Sequence, residues 1–405
     1  MNQQADVVEI VNRLISYGVP GNLMPFSRGF SRSGEGISIN PDLEEKYFAA
    51  VYELFQANRT VASTYSLKTF EKNVLKFVAS YVLSPKEVVK KDVSGFLAEL
   101  SARPVIRHAV FRPIHQIIKT PGSGPLTLGE FTLYNTKDDA EALNSALRGQ
   151  MNDVLRPKTE HYLISTTVEA RDDLIALEEA DALFEQFENA LRFMTGPDSN
   201  YDARVFGAVG PIPARAILMS EETWSSSSGR ENFVKDLDID DPYFLDPGAG
   251  FDKVWASLGN KSSSKLMNKI LLAVDWVGQS IYEKVASSAF IKAAIALEVL
   301  FTPEKGIFSP SIVAQITENV TLLLGKDEES RVKGEREFKR LYEIRSGIAH
   351  AGKTDVERFD LRSIQEMARQ VIFKLLTSPA LAGCSTPEDL SLSLKALKYR
   401  CPTLD

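Results

Sequence analysis

Cysteine is almost absent from this chain: two of 405 residues, Cys384 and Cys401, both close to the end. Two late cysteines make neither a disulfide framework nor a zinc-ligand pattern, so a reducing compartment is expected. Histidine is nearly as scarce, at four. His108, His115 and His161 fall in no metal-ligand spacing. The first two read as packed or hydrogen-bonded structural residues, and no metal or cofactor is expected. Long apolar runs are also missing. The most hydrophobic stretch, 290–301, is too short to cross a bilayer and carries Lys292 and Glu298. The first seven residues are polar, include Asp6, and lack the basic start and apolar run of a signal peptide. Neither charge sign dominates: 47 Lys and Arg against 54 Asp and Glu give −7. That mild acidity excludes a surface coated in positive charge for wrapping long nucleic acid, and leaves room for a local site. The expectation is a cytoplasmic protein with no membrane association.

Several chemical signatures are missing as well. No phosphate-binding glycine loop is present: Leu324-Gly325-Lys326 is followed by Asp327, not by Ser or Thr. No dinucleotide fingerprint follows a strand, no HExxH occurs, and no serine or cysteine sits in a nucleophile elbow.

What is there is an ordinary globular composition, 44 % hydrophobic and 25 % charged, long enough for more than one core. The spacing divides it into four parts. Residues 1–100 read as mainly helical, with a Gly/Ser/Pro-rich loop at 18–40. Residues 101–225 read as a small α+β unit. Its strands are expected at 127–134, 161–168, 204–209 and 215–219, with a helix carrying Leu174 to Phe193. Residues 226–262, with the serines of 224–229 and the Asp-Pro steps of 236–250, read as a linker or exposed loop. Residues 263–405 read as all helix. One stripe is Leu266, Ile270, Leu271, Val274, Val277 and Ile281, and the next helix, 289–301, is nearly apolar all round and so expected to be buried. Ser309-Pro310 reads as a helix start, followed by a charged helix over 327–350 and further helices over 355–377 and from 385. The fold class is an α+β N-terminal region followed by an all-α antiparallel helical bundle.

One constellation stands out, LYEIRSGIAH at 341–350. Histidine moves a proton near neutral pH, and arginine steadies charge developing on a phosphate through a planar donor fork. Metal-free RNA cleavage needs little more. On an ideal helix Arg345 and His350 stand about 5 × 100° apart, roughly 140° from each other, so they are not side by side. A composite site needs the reach of Arg345, a helix end near Gly347, or a second subunit. By spacing alone the pair also fits a buried-edge arginine paired with a carboxylate, plus an exposed histidine.

Three pieces taken in order resemble the HEPN superfamily and, within it, the bacterial Apea-like HEPN domains. They are AFIKAAIALEVLF (289–301), ITENVTLLLG (316–325) and FKRLYEIRSGIAHAGK (338–353), and the resemblance covers roughly 265–380. It implies a HEPN-like bundle that forms a homodimer. It also implies a metal-independent endoribonuclease leaving 2′,3′-cyclic phosphate and 5′-hydroxyl ends, of a toxin-like or abortive-infection, anti-phage kind. Carried over, Arg345 holds the phosphate and His350 transfers the proton. Ser346 stands where many members have Asn, Asp or His, Glu298 orients Arg345, and Tyr342 lies at the cleft edge. Lys333, Arg336, Lys339 and Arg340 are candidates to guide RNA such as tRNA or another structured RNA; read plainly they are a solvated face of mixed charge. The N-terminal region is expected to sense a trigger or to regulate. The alternative is a noncatalytic HEPN dimerisation or nucleotide-binding module.

Overall fold

The computed structural model describes residues 6–21, 29–32, 35–150, 161–199, 201, 203–205, 216–219, 224–227, 235–259, 264–302 and 312–399. Two compact units form, Met1–Val110 with Thr167–Asp181, and Phe111–Thr166 with Ala182–Asp405. An α+β N-terminal part is followed by a helical C-terminal part. Among the described residues no helix is long and apolar enough to cross a membrane.

In the first unit, helices α1 (Val7–Ser16), α2 (Glu44–Gln56), α3 (Arg59–Thr64), α4 (Leu67–Leu83) and α5 (Lys90–Ala102) share one core. Their starts are set chemically: the side chains of Asp6, Asn58 and Ser66 accept from otherwise unpaired first-turn amides. The expected loop at 18–40 contains a sheet. Strands β1 (Gly18–Pro20), β2 (Gly29–Arg32) and β3 (Glu35–Ile39) pair antiparallel in the order β1-β3-β2. Ile37 and Ile39 alternate into the core, a two-residue period that the Gly- and Ser-rich surroundings mask. The buried carboxylate of Asp172 accepts from the Ser66 amide (2.7 Å), the Thr69 hydroxyl (2.8 Å) and the Leu174 amide (3.0 Å). It thereby serves the N-termini of α4 and of α7 (Asp173–Thr195), which follows the short helix α6 (Ala140–Ala146) along the chain.

Strands β4 (Ile106–Pro113), β6 (Leu126–Leu128), β7 (Phe131–Asn135) and β8 (Tyr162–Ala170) form one sheet, ordered β4-β8-β7-β6. The expected strand at 127–134 is a tight hairpin, because Gly129 adopts φ 59° and packs on the Trp255 carbonyl, where a β-carbon would stand 2.0 Å away. Strand β5 (Ile117–Ile118) pairs in parallel with β11 (Leu237–Asp238), whereas β9 (Ala216–Met219) pairs antiparallel with β10 (Trp224–Ser227). The serines of 224–227 therefore form a strand, since ladder bonds use the backbone that serine has like any residue. Residues 206–215 lie mostly in the undescribed part, as does the Ser309-Pro310 helix start. The expected exposed loop at 236–250 is exposed along most of its length, but it is anchored by a few buried apolar side chains. Leu237, Ile239 and Phe244 are buried, as are Phe251, Val254 and Trp255 on and around α8 (Phe251–Ser257), and the Trp255 indole donates to the Phe244 carbonyl at 2.7 Å.

The helical part comprises α9 (Lys265–Tyr282), α10 (Ala286–Phe301), α11 (Ile312–Leu324), α12 (Glu328–Ala351), α13 (Arg358–Thr377) and α14 (Pro387–Tyr399). Helix α10 lies at its centre and touches α9, α11, α12 and α13, as its nearly all-round apolar sequence requires. Three polar residues of α13, Asp360, Gln365 and Arg369, are buried as well. Gln365 donates to Ser280, and Arg369 donates to the Phe193 and Met194 carbonyls at 2.8 and 3.0 Å, closing the C-terminal end of α7.

At Gly278 of α9 the backbone of Asn189 comes so near that a β-carbon would lie 2.3 Å from its carbonyl oxygen. Gly278→Ala is expected to cost about 1–3 kcal/mol or more through forced separation of α7 and α9, read as a lower urea midpoint. A second expectation concerns acid. Burial pushes the Asp172 carboxyl up, but hydrogen bonds from Ser66, Leu174 and Thr69 outweigh it and hold the group below its ordinary value. A depressed folded-state pKa stabilises above the unfolded value and is lost as pH falls through the folded one. Asp172→Asn should remove that acid-dependent loss below about pH 4, seen as a flatter stability–pH curve.

Candidate functional site

The site lies where α12 crosses α10. Asp327 caps α12 by accepting from the Ser330 amide at 2.8 Å, and Glu328 and Glu329 favour its positive first turn. The helix then runs unbroken to Ala351 and stops at Gly352, φ 63°. It does not end near Gly347, so that route to joining Arg345 and His350 is closed. The two stay on different sides of one helix.

The other half of the site comes from α10, whose late position 298 faces α12. Arg345 donates from Nε to Glu298 Oε1 at 2.9 Å and from Nη2 to Oε2 at 3.3 Å, a side-on fork. Tyr342, one turn earlier, donates its hydroxyl to the same Oε1 at 2.7 Å, and the guanidinium lies 5.6 Å from its ring centre. Phe338 packs on that ring at 5.8 Å. With side-chain exposures of 22 and 21 %, the Arg345–Glu298 pair is partly shielded, so it is screened less than a surface pair and stays reachable from solvent. The fork uses one edge of Arg345; Nη1 makes no hydrogen bond among the described residues. That nitrogen is the one an incoming anion can meet.

Of the sequence-expected residues, Glu298, Tyr342 and Arg345 are brought together. Ser346 and His350 are exposed on α12 and have no partner among the described residues. The candidate guide cations are divided. Lys339 is paired with Glu335, and Arg340 with Glu337 and, at 2.6 Å, Asp360. Lys333 and Arg336 carry no ion pair among the described residues and line an open groove of ≈ 1010 Å³ with Glu328, Glu329, Val332 and Phe359. That groove, on the N-terminal half of α12, does not include Arg345 or His350. The sequence reading gave no role to Lys353, whose side chain lies against Gly347. Its signal was a glycine in mid-helix followed by a second glycine just past the helix end. Comparison with protein-family models, with curated proteins and with solved structures gives no match.

Burial pushes the Tyr342 phenol up to about 12, helped by its hydrogen bond to the Glu298 carboxylate. A raised folded-state pKa stabilises below the unfolded value and is lost as pH rises through the folded one. The expected window for this loss is therefore roughly pH 10 to 12. In an absorbance titration Tyr342→Phe should lack one of the late-ionising phenols, and Glu298→Gln should move that phenol to lower pH. An unchanged curve in both variants would show that the Tyr342–Glu298 bond is not made in solution.

Proposed function

We propose that the helical region 263–405 is a HEPN-type, Apea-like antiparallel bundle acting as a metal-independent endoribonuclease, and that it works as a homodimer. The observation that carries this reading is the Glu298–Arg345–Tyr342 cluster together with an exposed His350 on another side of the same helix. A carboxylate from a second helix fixes the guanidinium and leaves one nitrogen outward, which suits a phosphate oxygen. An exposed histidine suits proton transfer.

In this reading the RNA 2′-hydroxyl attacks the adjacent phosphorus as its proton passes to His350. The P–O5′ bond breaks, and the leaving 5′-oxygen takes a proton. Arg345 steadies the charge gathering on the non-bridging oxygens. The products are a 2′,3′-cyclic phosphate and a 5′-hydroxyl. Because Arg345 and His350 diverge on one helix, each cleft joins Arg345 of one chain to His350 of the other. Ser346 supplies a polar contact at the cleft. RNA, tRNA included, is the substrate class. The N-terminal region senses a trigger or holds the nuclease silent, as suits a cytoplasmic toxin-like or anti-phage abortive-infection effector.

A noncatalytic dimerisation or nucleotide-binding module is the second reading. It is favoured by the neutralisation of Arg345 by Glu298, which weakens its pull on a phosphate.

Purified protein incubated with total RNA and tRNA in EDTA decides between them. Cyclic-phosphate ends are expected, with cleavage reduced about 100-fold or more in His350→Ala and in Arg345→Ala. Equal cleavage by all three proteins overturns the assigned site. Intact RNA beside a dimeric wild type moves the weight to the second reading.

A further inference from the structure

We infer that Lys353 is a phosphate-binding arm of the RNA site, laid over the last turn of α12 by a gap left at Gly347; the inference rests on the ribonuclease reading. Gly352, in the left-handed region, turns the chain back on the helix. The amides of Gly352 and Lys353 both donate to the Gly347 carbonyl, the second at 3.2 Å. The Lys353 side chain then crosses the helix surface at Gly347. A β-carbon there would stand 3.0 Å from its Cδ and 3.7 Å from its Cε. Glycine inside a helix is about 1 kcal/mol worse than alanine. What this glycine provides is the bed for the lysine stem.

The position matters because of what lies beside it. Gly347 and His350 are three apart on α12, surface neighbours roughly 5–6 Å apart at Cβ. The lysine stem thus runs next to His350, on the outer flank of the helix. Arg345 lies roughly 160° round the helix from Gly347, on the flank held by Glu298. In a composite cleft the histidine therefore brings its own lysine, while the arginine comes from the other copy. No carboxylate pairs with the Lys353 ammonium among the described residues, unlike Arg345, Lys339 and Arg340.

There is also an electrostatic reason for a cation here. The C-terminal end of a helix carries about −0.5 of a charge, which repels a phosphate approaching His350. An ammonium folded over the same turn offsets that field. Lysine acts as a point charge without a fixed fork, which suits a phosphate next to the scissile one rather than the reacting group itself.

Full-length His350→Ala is the parent for the test, so that RNA is bound without being cut. The probe is a labelled tRNA transcript, titrated from 50 to 300 mM KCl. Adding Lys353→Met should weaken binding about 3–10-fold and lower the log–log salt slope by about 0.7–0.9, the signature of one lost phosphate contact. Adding Gly347→Ala, which displaces the stem and leaves the charge in place, should weaken binding in the same direction without lowering Tm. Lys353→Arg should retain most of the affinity. Equal affinity and slope in parent and Lys353→Met overturn the inference and leave the ribonuclease reading standing. Loss in Lys353→Met with none in Gly347→Ala overturns the seating on Gly347. A parent that binds no tRNA overturns the ribonuclease reading and this inference with it.

Discussion

A carboxylate carried on the most buried helix has to be met by donors. Glu298 belongs to α10, whose other faces are closed by alanine, leucine and phenylalanine. A carboxylate there without partners would leave its acceptor oxygens unmet at a helix interface. The structure answers with two donors from α12, Tyr342 and Arg345, one turn apart. That requirement fixes the rotation of α12 about its own axis. Once Tyr342 and Arg345 face α10, Phe338 and Leu341 fall into the core, and Ser346 and His350 are left outside.

The same logic governs the rest of the helical part. Arg369 closes the carbonyl end of α7, Gln365 meets Ser280, and Asn189 and Gln279 share Asp275. Each is a polar group inside packed helices whose partners come from a different element or turn. Satisfied networks of this kind select one arrangement among many that apolar packing alone would tolerate. A functional cluster placed in such a framework inherits its rigidity. Arg345 is therefore held before any anion arrives, which reduces the ordering cost of binding.

Much of this was legible from residues alone. The helices α9, α10 and α13 were readable because apolar residues recur at helical spacing, with a Ser264 cap added only at α9. The Glu298, Tyr342 and Arg345 set was readable through the resemblance, and the structure brings the three into contact. The strands at 127–134, 161–168 and 215–219 were readable, but those at 18–40 and 224–227 were not. At 18–40 the alternation is only two isoleucines long, and at 224–227 the pairing is carried by backbone atoms that serine does not advertise. The anchored segment 235–259 was hidden by its Asp, Pro and Gly content. Those residues form caps and turns there, while a few apolar side chains between them do the burying.

The candidate cations show the same division. Lys339 and Arg340 looked alike in sequence to Lys333 and Arg336, yet only the first two are tied to carboxylates, one of them Asp360 from another helix. Sequence by itself determined which segments are helical, which helix is buried, and which residue types are available for chemistry, because these follow from local spacing and composition. Tertiary structure alone decided which carboxylate meets Arg345, that α12 continues through Gly347, and that Lys353 folds back onto Gly347. Those facts depend on distances between residues far apart in the chain, or on a single left-handed turn, and periodicity records neither.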